Sequence, residues 1–157
     1  MSQTYGAECV LEGEVLMEID TSNFGKIDVA EDQIFEFQEG IIGFPDLTRF
    51  ALIEDKEREP FQWLQSIGTS ELAFVVIEPR WFLPDFNEEI SSDIISQMGV
   101  DRPEDWKVLV IVTIPDEATK MTANLKGPII FNPKERKATQ IVIDDMPLQH
   151  LILAEPE

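Results

Sequence analysis

The sequence predicts a mainly β fold: a small antiparallel β-barrel, or barrel-like sandwich, with one short α-helix around residues 87–98. Three observations predict it. Apolar and polar residues alternate with period two through most of the apolar segments, as in strands whose successive side chains face opposite ways. The connections between those segments are short and rich in turn residues, which suits antiparallel neighbours, since a parallel crossover needs about a dozen residues or more. One segment alone carries helical spacing.

In "VLMEID" (15–20), Val15, Met17 and Ile19 fall on one face, with Glu18 and Asp20 on the other. "QIFEF" (33–37) sets Phe35 and Phe37 against Glu36, and "RFALIED" (49–55) is again strand-like. "FQWLQSI" (61–67) puts Phe61, Trp63, Gln65 and Ile67 on one side. If that side is the barrel interior or its mouth, Gln65 must find a hydrogen bond or cost about 1–3 kcal/mol. "LAFVVIE" (72–78) and "VLVIVTI" (108–114) are apolar on both faces, the mark of central strands covered on both sides. "GPIIFN" (127–132) and "TQIVID" (139–144) form a last pair across the polar turn "PKERKA" (133–138). The helix is read from "FNEEISSDIISQMG" (86–99), where Ile90, Ile94 and Met98 recur at four-residue steps, with Asn87 as N-cap and Gly99 just past the end. "RPEDW" (102–106) holds a further turn, with Pro103 at its first helical position. In "EGIIGFPD" (39–46), Gly40 and Gly43 supply backbone geometry that a side chain would obstruct. We therefore expect a single domain with a core over about 15–145 and flexible extensions at 1–12 and 146–157.

The chain has 157 residues, 43% of them hydrophobic, enough for a real core. Its charge is the outlier: a formal net charge of −19 and a pI near 4.2. Such a surface repels phosphate backbones and anionic lipid, so no direct nucleic-acid or membrane contact is expected, whereas a basic partner is attracted. Cys9 is the only cysteine, so no intramolecular disulfide forms. The N-terminus lacks the basic and apolar regions of a signal peptide, and the longest aliphatic run, "VLVIV" (108–112), is far shorter than a membrane span. These features lead us to expect a cytoplasmic protein.

Catalytic chemistry finds little purchase. His150, the one histidine, stands near the tail without cysteine or carboxylate at ligand spacing. "EGIIGF" lacks the lysine and spacing of a phosphate loop. Acid pairs such as Asp144–Asp145, Glu88–Glu89 and Glu31–Asp32 arise without purpose among 31 acids. No enzyme activity, metal or cofactor is expected. Aromatic and amide residues stand out near turns instead: Trp81, Phe82 and Phe86 around Pro84, and Asn124 and Asn132 bracketing an apolar run.

Four stretches, "FQEGIIGFPDLTRF" (37–50), "FQWLQSIGTSELAFVVIEP" (61–79), "FLPDF" (82–86) and "MTANLKGPIIFNPKERKATQIVID" (121–144), resemble the flagellar assembly factor FliW family, in the same order and at similar spacing. Three features depart from the family pattern: Gln38 where proline is usual, the first dozen residues, and the tail "DDMPLQHLILAEPE". The resemblance implies a non-enzymatic β-barrel that binds CsrA, a small RNA-binding translational repressor, and so relieves repression of flagellin mRNA. It also implies binding of flagellin, which couples flagellin synthesis to export. On this reading the protein is a monomer when free. Its partner surface comprises the Gly40–Phe44 turn (Ile41, Ile42 and Phe44), the Trp81, Phe82 and Phe86 rings, Asn124 and Asn132, and Leu148, Leu151 and Leu153 of the tail. Two alternatives are a flagellin chaperone without regulatory reach and a carbohydrate-binding or hydrolytic barrel using Trp63, Trp81 and Phe82 as a stacking platform.

Overall fold

A computed structural model describes residues 8–11, 14–54, 56–99 and 105–152. Alternation in the middle of the chain becomes a closed seven-stranded barrel. Its strands are β4 (Ile34–Phe37), β5 (Arg49–Glu54), β6 (Gln62–Ser66), β7 (Ala73–Ile77), β8 (Lys107–Thr113), β10 (Ile129–Asn132) and β11 (Lys137–Gln140). Each pairs with the next, β8 pairs directly with β10, and β11 closes the ring against β4. That closing pair is parallel and the others are antiparallel, so the expected antiparallel barrel holds one parallel seam, registered over Lys137↔Glu36 and Ala138↔Phe37.

The interior is built from alternate residues of these strands. Phe35 and Phe37 on β4, Phe50 and Leu52 on β5, Leu64 on β6, Val76 on β7, Leu109 on β8 and Phe131 on β10 form one buried cluster. Its rings meet edge to face: Phe35 and Phe131 at 4.9 Å, Phe37 and Phe50 at 5.1 Å. Such contacts add about 0.5–1.5 kcal/mol each beyond their area. The two all-apolar strands are explained by covers on both sides. Val76 and Leu109 face inward, while Ile77, Val108 and Val110 face a second cluster outside the barrel.

Two covers lie on the outer wall. The first is a three-stranded sheet of β1 (Glu8–Leu11), β2 (Glu14–Thr21) and β3 (Gly25–Ala30), in that order. It lays Ile19 and Val29 over Ile34 and Ala51. β3, "GKIDVA", is a strand the sequence reading missed, and β1 falls within the segment expected to be a flexible extension. Across the β2–β3 pair, Lys26 donates to Asp20 Oδ1 at 2.8 Å; this hydrogen bond, with the ion pair, raises the ammonium pKa.

The second cover is irregular. It comprises 3-10 turns at Pro79–Trp81 and Phe86–Glu89, the helix α1 (Ser92–Gln97), and residues 121–125 and 141–152. Phe86, Ile90, Leu125 and Ile152 are its buried members. The helix is shorter than its sequence spacing implied. Ser91, not Asn87, is the N-cap, its hydroxyl accepting from Ile94 N at 3.3 Å, and Ile90 ends the preceding 3-10 turn. Ile94 and Met98 do pack on the barrel, and Gly99 takes φ +80° after the helix, as a left-handed terminator does. Pro103 lies outside the described residues. The tail adds β12 (His150–Leu151), paired with β9 (Thr122–Ala123), where an extension had been expected.

Candidate protein-interaction surface

Pairing register places Ile53, Trp63, Val75, Val112, Ala123 and His150 side by side across β5, β6, β7, β8, β9 and β12. Residues directly opposite share a face, and this face is the outer one, because Val112 and Ala123 belong to the outer cluster. Trp63 and Gln65 therefore point outward, against the expectation of an interior or mouth position. Alternation established that they share a face; it carried no information about which face. Gln65 is fully buried all the same, and its Nε2 reaches the carbonyls of Ser66, Thr69, Ser70 and Leu72 at 3.1–3.4 Å, bracing the β6–β7 turn.

Two aromatic pairs involve members of this row. At its second position, Phe24 meets the Trp63 ring edge-on at 5.5 Å. Thr21 holds Phe24 there: its hydroxyl accepts from Phe24 N and donates to Gly25 O, both at 2.8 Å. Ser22 N also donates to Ser70 O at 2.9 Å, tying the hairpin tip to the braced turn. At its last position, Phe82 stacks on the His150 imidazole at 5.7 Å. The aromatic turn after β7 thus touches the C-terminal strand, and in and beside these segments Trp81 is 67% exposed and Leu148 and Leu151 are 61% and 57% exposed.

The Gly40–Phe44 turn is a separate promontory. Gly40 takes φ +69°, and a Cβ there would lie 2.5 Å from Phe44 O and 2.7 Å from Pro45 Cα. Gly43 takes φ +95° in open space. Ile41 is buried within the turn, Phe44 rests edge-on against Phe74 at 5.8 Å, and Ile42 is 64% exposed. A relay of amides anchors this turn to a distant part of the chain. Asn124 Oδ1 accepts from Lys126 N and Gly127 N, Gln140 Nε2 donates to Gly127 O, and Gln140 Oε1 accepts from Ile42 N. Beside it, residues of β4, of β11 and of the end of α1 line a cleft of about 680 Å³, with Glu36, Glu39, Met98 and Glu135 among its lining.

The sequence-predicted partner residues thus divide. Ile42, Phe44, Trp81, Leu148 and Leu151 are exposed. Phe82 and Asn124 are half-buried, each already bonded or stacked within the chain. Ile41, Phe86 and Asn132 are buried. Asn132 ties α1 to the β10–β11 hairpin, donating to Met98 O at 2.7 Å and accepting from Lys134 N and Glu135 N. Leu153 lies outside the described residues. The sequence reading did not name Phe24, and it took His150 as a surface histidine without placing it in the partner surface. A hairpin tip ending in an aromatic, "TSNFG", was the available signal for the first.

Among the described residues, ion pairs at the surface include Lys26–Asp20, Arg80–Glu78, Lys120–Glu117, Arg136–Glu31 and Lys137–Glu135. Two cations of "NPKERK" take part, Arg136, which also donates to Glu31 O, and Lys137. With so few cations, the outer surface stays strongly negative. Among the described residues, no group of three or more His, Cys, Asp or Glu is placed to hold a metal, and no helix is long and apolar enough to cross a membrane.

The model of the FliW protein family matches residues 18–152, which include the outer row, both aromatic pairs and the Gly40–Phe44 turn. The chain belongs to the FliW family. It is 45% identical over 142 residues to the flagellar assembly factor FliW of Thermoanaerobacter pseudethanolicus, covering 88% of this chain and 95% of that one. It is 40% identical over 141 residues to the FliW of Treponema denticola, with 88% and 95% covered. A crystal structure of the flagellar assembly factor FliW superposes with a TM-score of 0.79 at 31% identity, covering 88% of this chain and 98% of that one. The barrel and its one short helix are therefore the FliW fold. The N-terminal strand β1 precedes the region matched by the FliW family model.

Proposed function

We propose that this FliW-family chain is a cytoplasmic, non-enzymatic flagellar assembly factor. It acts by binding: it holds CsrA, relieving repression of flagellin mRNA, and it holds flagellin, so that unexported flagellin displaces CsrA and halts further synthesis. The observation that carries this reading is the exposed apolar set Trp81, Leu148 and Leu151 on a chain of net charge −19. Exposed aromatic and aliphatic anchors are what a protein interface uses for affinity, and an RNA-binding repressor must present a basic surface that an acidic partner attracts. Asn124, Ile42 and Phe44 are assigned to the second part of this surface, through the amide relay that fixes their turn.

A competition titration tests it. Flagellin added to a preformed complex with CsrA is expected to release CsrA in a saturable way, and Leu151→Glu is expected to weaken capture of at least one partner roughly tenfold. Capture of flagellin alone would leave a chaperone without regulatory reach. Failure to capture either at micromolar concentration in low salt would end the proposal.

A further inference from the structure

Register carries the barrel's interior alternation past its aromatic layer into a polar one. This happens at the end where β4, β6 and β8 begin and β5 and β10 finish. Lys107 stands directly opposite Phe131 across β8 and β10, and Glu54 stands opposite Gln62, two residues beyond the Leu52–Leu64 pair. Opposed residues share a face, as do residues two apart on a strand, and Phe131, Leu52 and Leu64 belong to the interior cluster. Lys107, Glu54 and Gln62 therefore ring the interior's mouth, a cavity of about 530 Å³ floored by Phe35, Leu52 and Phe131. We propose that this mouth binds a small zwitterion, a free α-amino acid with an aliphatic or aromatic side chain.

The polar layer holds groups without partners. Lys107 is half-buried, yet among the described residues it makes neither a hydrogen bond nor an ion pair, and Glu54 in the same cavity does not pair with it. Gln62 Oε1 is buried and accepts no hydrogen bond among the described residues. Gln33 differs: its Oε1 accepts from Ala30 N at 2.7 Å and its Nε2 donates to Leu52 O at 3.3 Å, which makes it a fixed wall. A buried acceptor without a donor is costly, and an ammonium drawn partly out of water favours an anionic neighbour. A ligand carboxylate meets Lys107, and a ligand ammonium meets Gln62 Oε1 and Glu54. The ligand's apolar side chain then lies toward the aromatic floor. Small-molecule sites are built this way, as an apolar hollow of about 300–1,000 Å³ with a few polar groups that fix orientation.

Charge selects the class of ligand. The lining is balanced, Asp32 and Glu54 against Lys56 and Lys107. A simple anion would have to approach a chain of net charge −19 and settle beside two carboxylates. A simple cation would leave Lys107 unanswered. A zwitterion has no net charge for the field to repel and presents each sign once. The mouth lies at the ends of β4 and β5 remote from the Gly40–Phe44 turn, and it needs no protein partner.

Isothermal titration calorimetry of the full chain with L-leucine and with L-phenylalanine tests the site. Saturable binding at about millimolar ligand is expected, with a Tm that rises as ligand is added. Lys107→Met keeps the apolar stem and Glu54→Gln alters an exposed position; each is expected to weaken binding about tenfold. Ile42→Glu, on the remote turn, is expected to leave it unchanged. Isocaproate lacks the ammonium and leucinol lacks the carboxylate, so each is expected to bind at least about tenfold more weakly than leucine. The proposal is overturned if neither amino acid saturates by about 20 mM. It is overturned equally if the variants, folded by far-UV circular dichroism, bind as the parent does, or if isocaproate or leucinol matches leucine. Should Lys107→Met fail to fold, Glu54→Gln and the two analogues decide the matter. The titration contains neither CsrA nor flagellin, so its failure leaves the proposed function standing.

Discussion

The two covers on the barrel's outer wall solve one problem by opposite means. Over β4 and β5 a regular hairpin sheet lays down Ile19 and Val29 and is fastened at its tip by the Thr21 hydroxyl and the Ser22–Ser70 hydrogen bond. Over β7, β8 and β10 the cover is a set of 3-10 turns, a six-residue helix and a two-residue strand, held by buried rings and amides. A sheet satisfies its backbone internally and needs few fastenings. An irregular strap must satisfy backbone groups one at a time, which is why Asn124, Asn132 and Gln140 are each committed to main-chain partners there.

That contrast makes the straps the more fragile cover, and the largest expected effect lies in them. Phe86→Ala should destabilise by about 3–5 kcal/mol, the usual cost of emptying an aromatic site in a core, measured by urea unfolding. If near-UV circular dichroism is lost before the barrel's far-UV signal, the straps unfold separately; a single coincident transition would make both covers one cooperative unit. Asn132→Ala comes next, at about 2–3 kcal/mol, because one substitution strands Met98 O and two main-chain donors. Amide exchange should then quicken in α1 and stay unchanged in β2 and β3. The smallest effect belongs to the fastened sheet. Thr21→Val should cost about 1–2 kcal/mol and red-shift tryptophan emission as Phe24 leaves the Trp63 ring. An unshifted emission would show that the hairpin tip holds Phe24 without the hydroxyl.

The same contrast explains what the sequence could reveal. Barrel strands were legible because burial on one face or both prints itself directly, as in Phe35 and Phe37 against Glu36, or in the unbroken apolar runs of β7 and β8. β3 escaped notice because it is an exposed hairpin partner in which only Val29 is fully buried. β9 and β12, two residues each, are too short to show any period. The helix start was misplaced because Ile90, Ile94 and Met98 do share a packing surface although Ile90 reaches it from a 3-10 turn. Among the proposed partner residues, exposure was the hidden variable. Phe86 and Trp81 flank one loop and look alike in sequence, yet they are 3% and 67% exposed, because the chain reverses between them.

The parallel seam has a consequence for synthesis. Every other strand pair in the ring joins neighbours that the ribosome delivers within a few dozen residues of each other, but β4 must wait for β11, about a hundred residues downstream, and then gains only two registered positions. Until Ala138 has emerged, the nascent chain is an open, curled sheet with two bare margins. A truncated product ending before that point has no ring to close, so transcripts cut short at the 3′ end yield chains that quality control would encounter as sticky fragments.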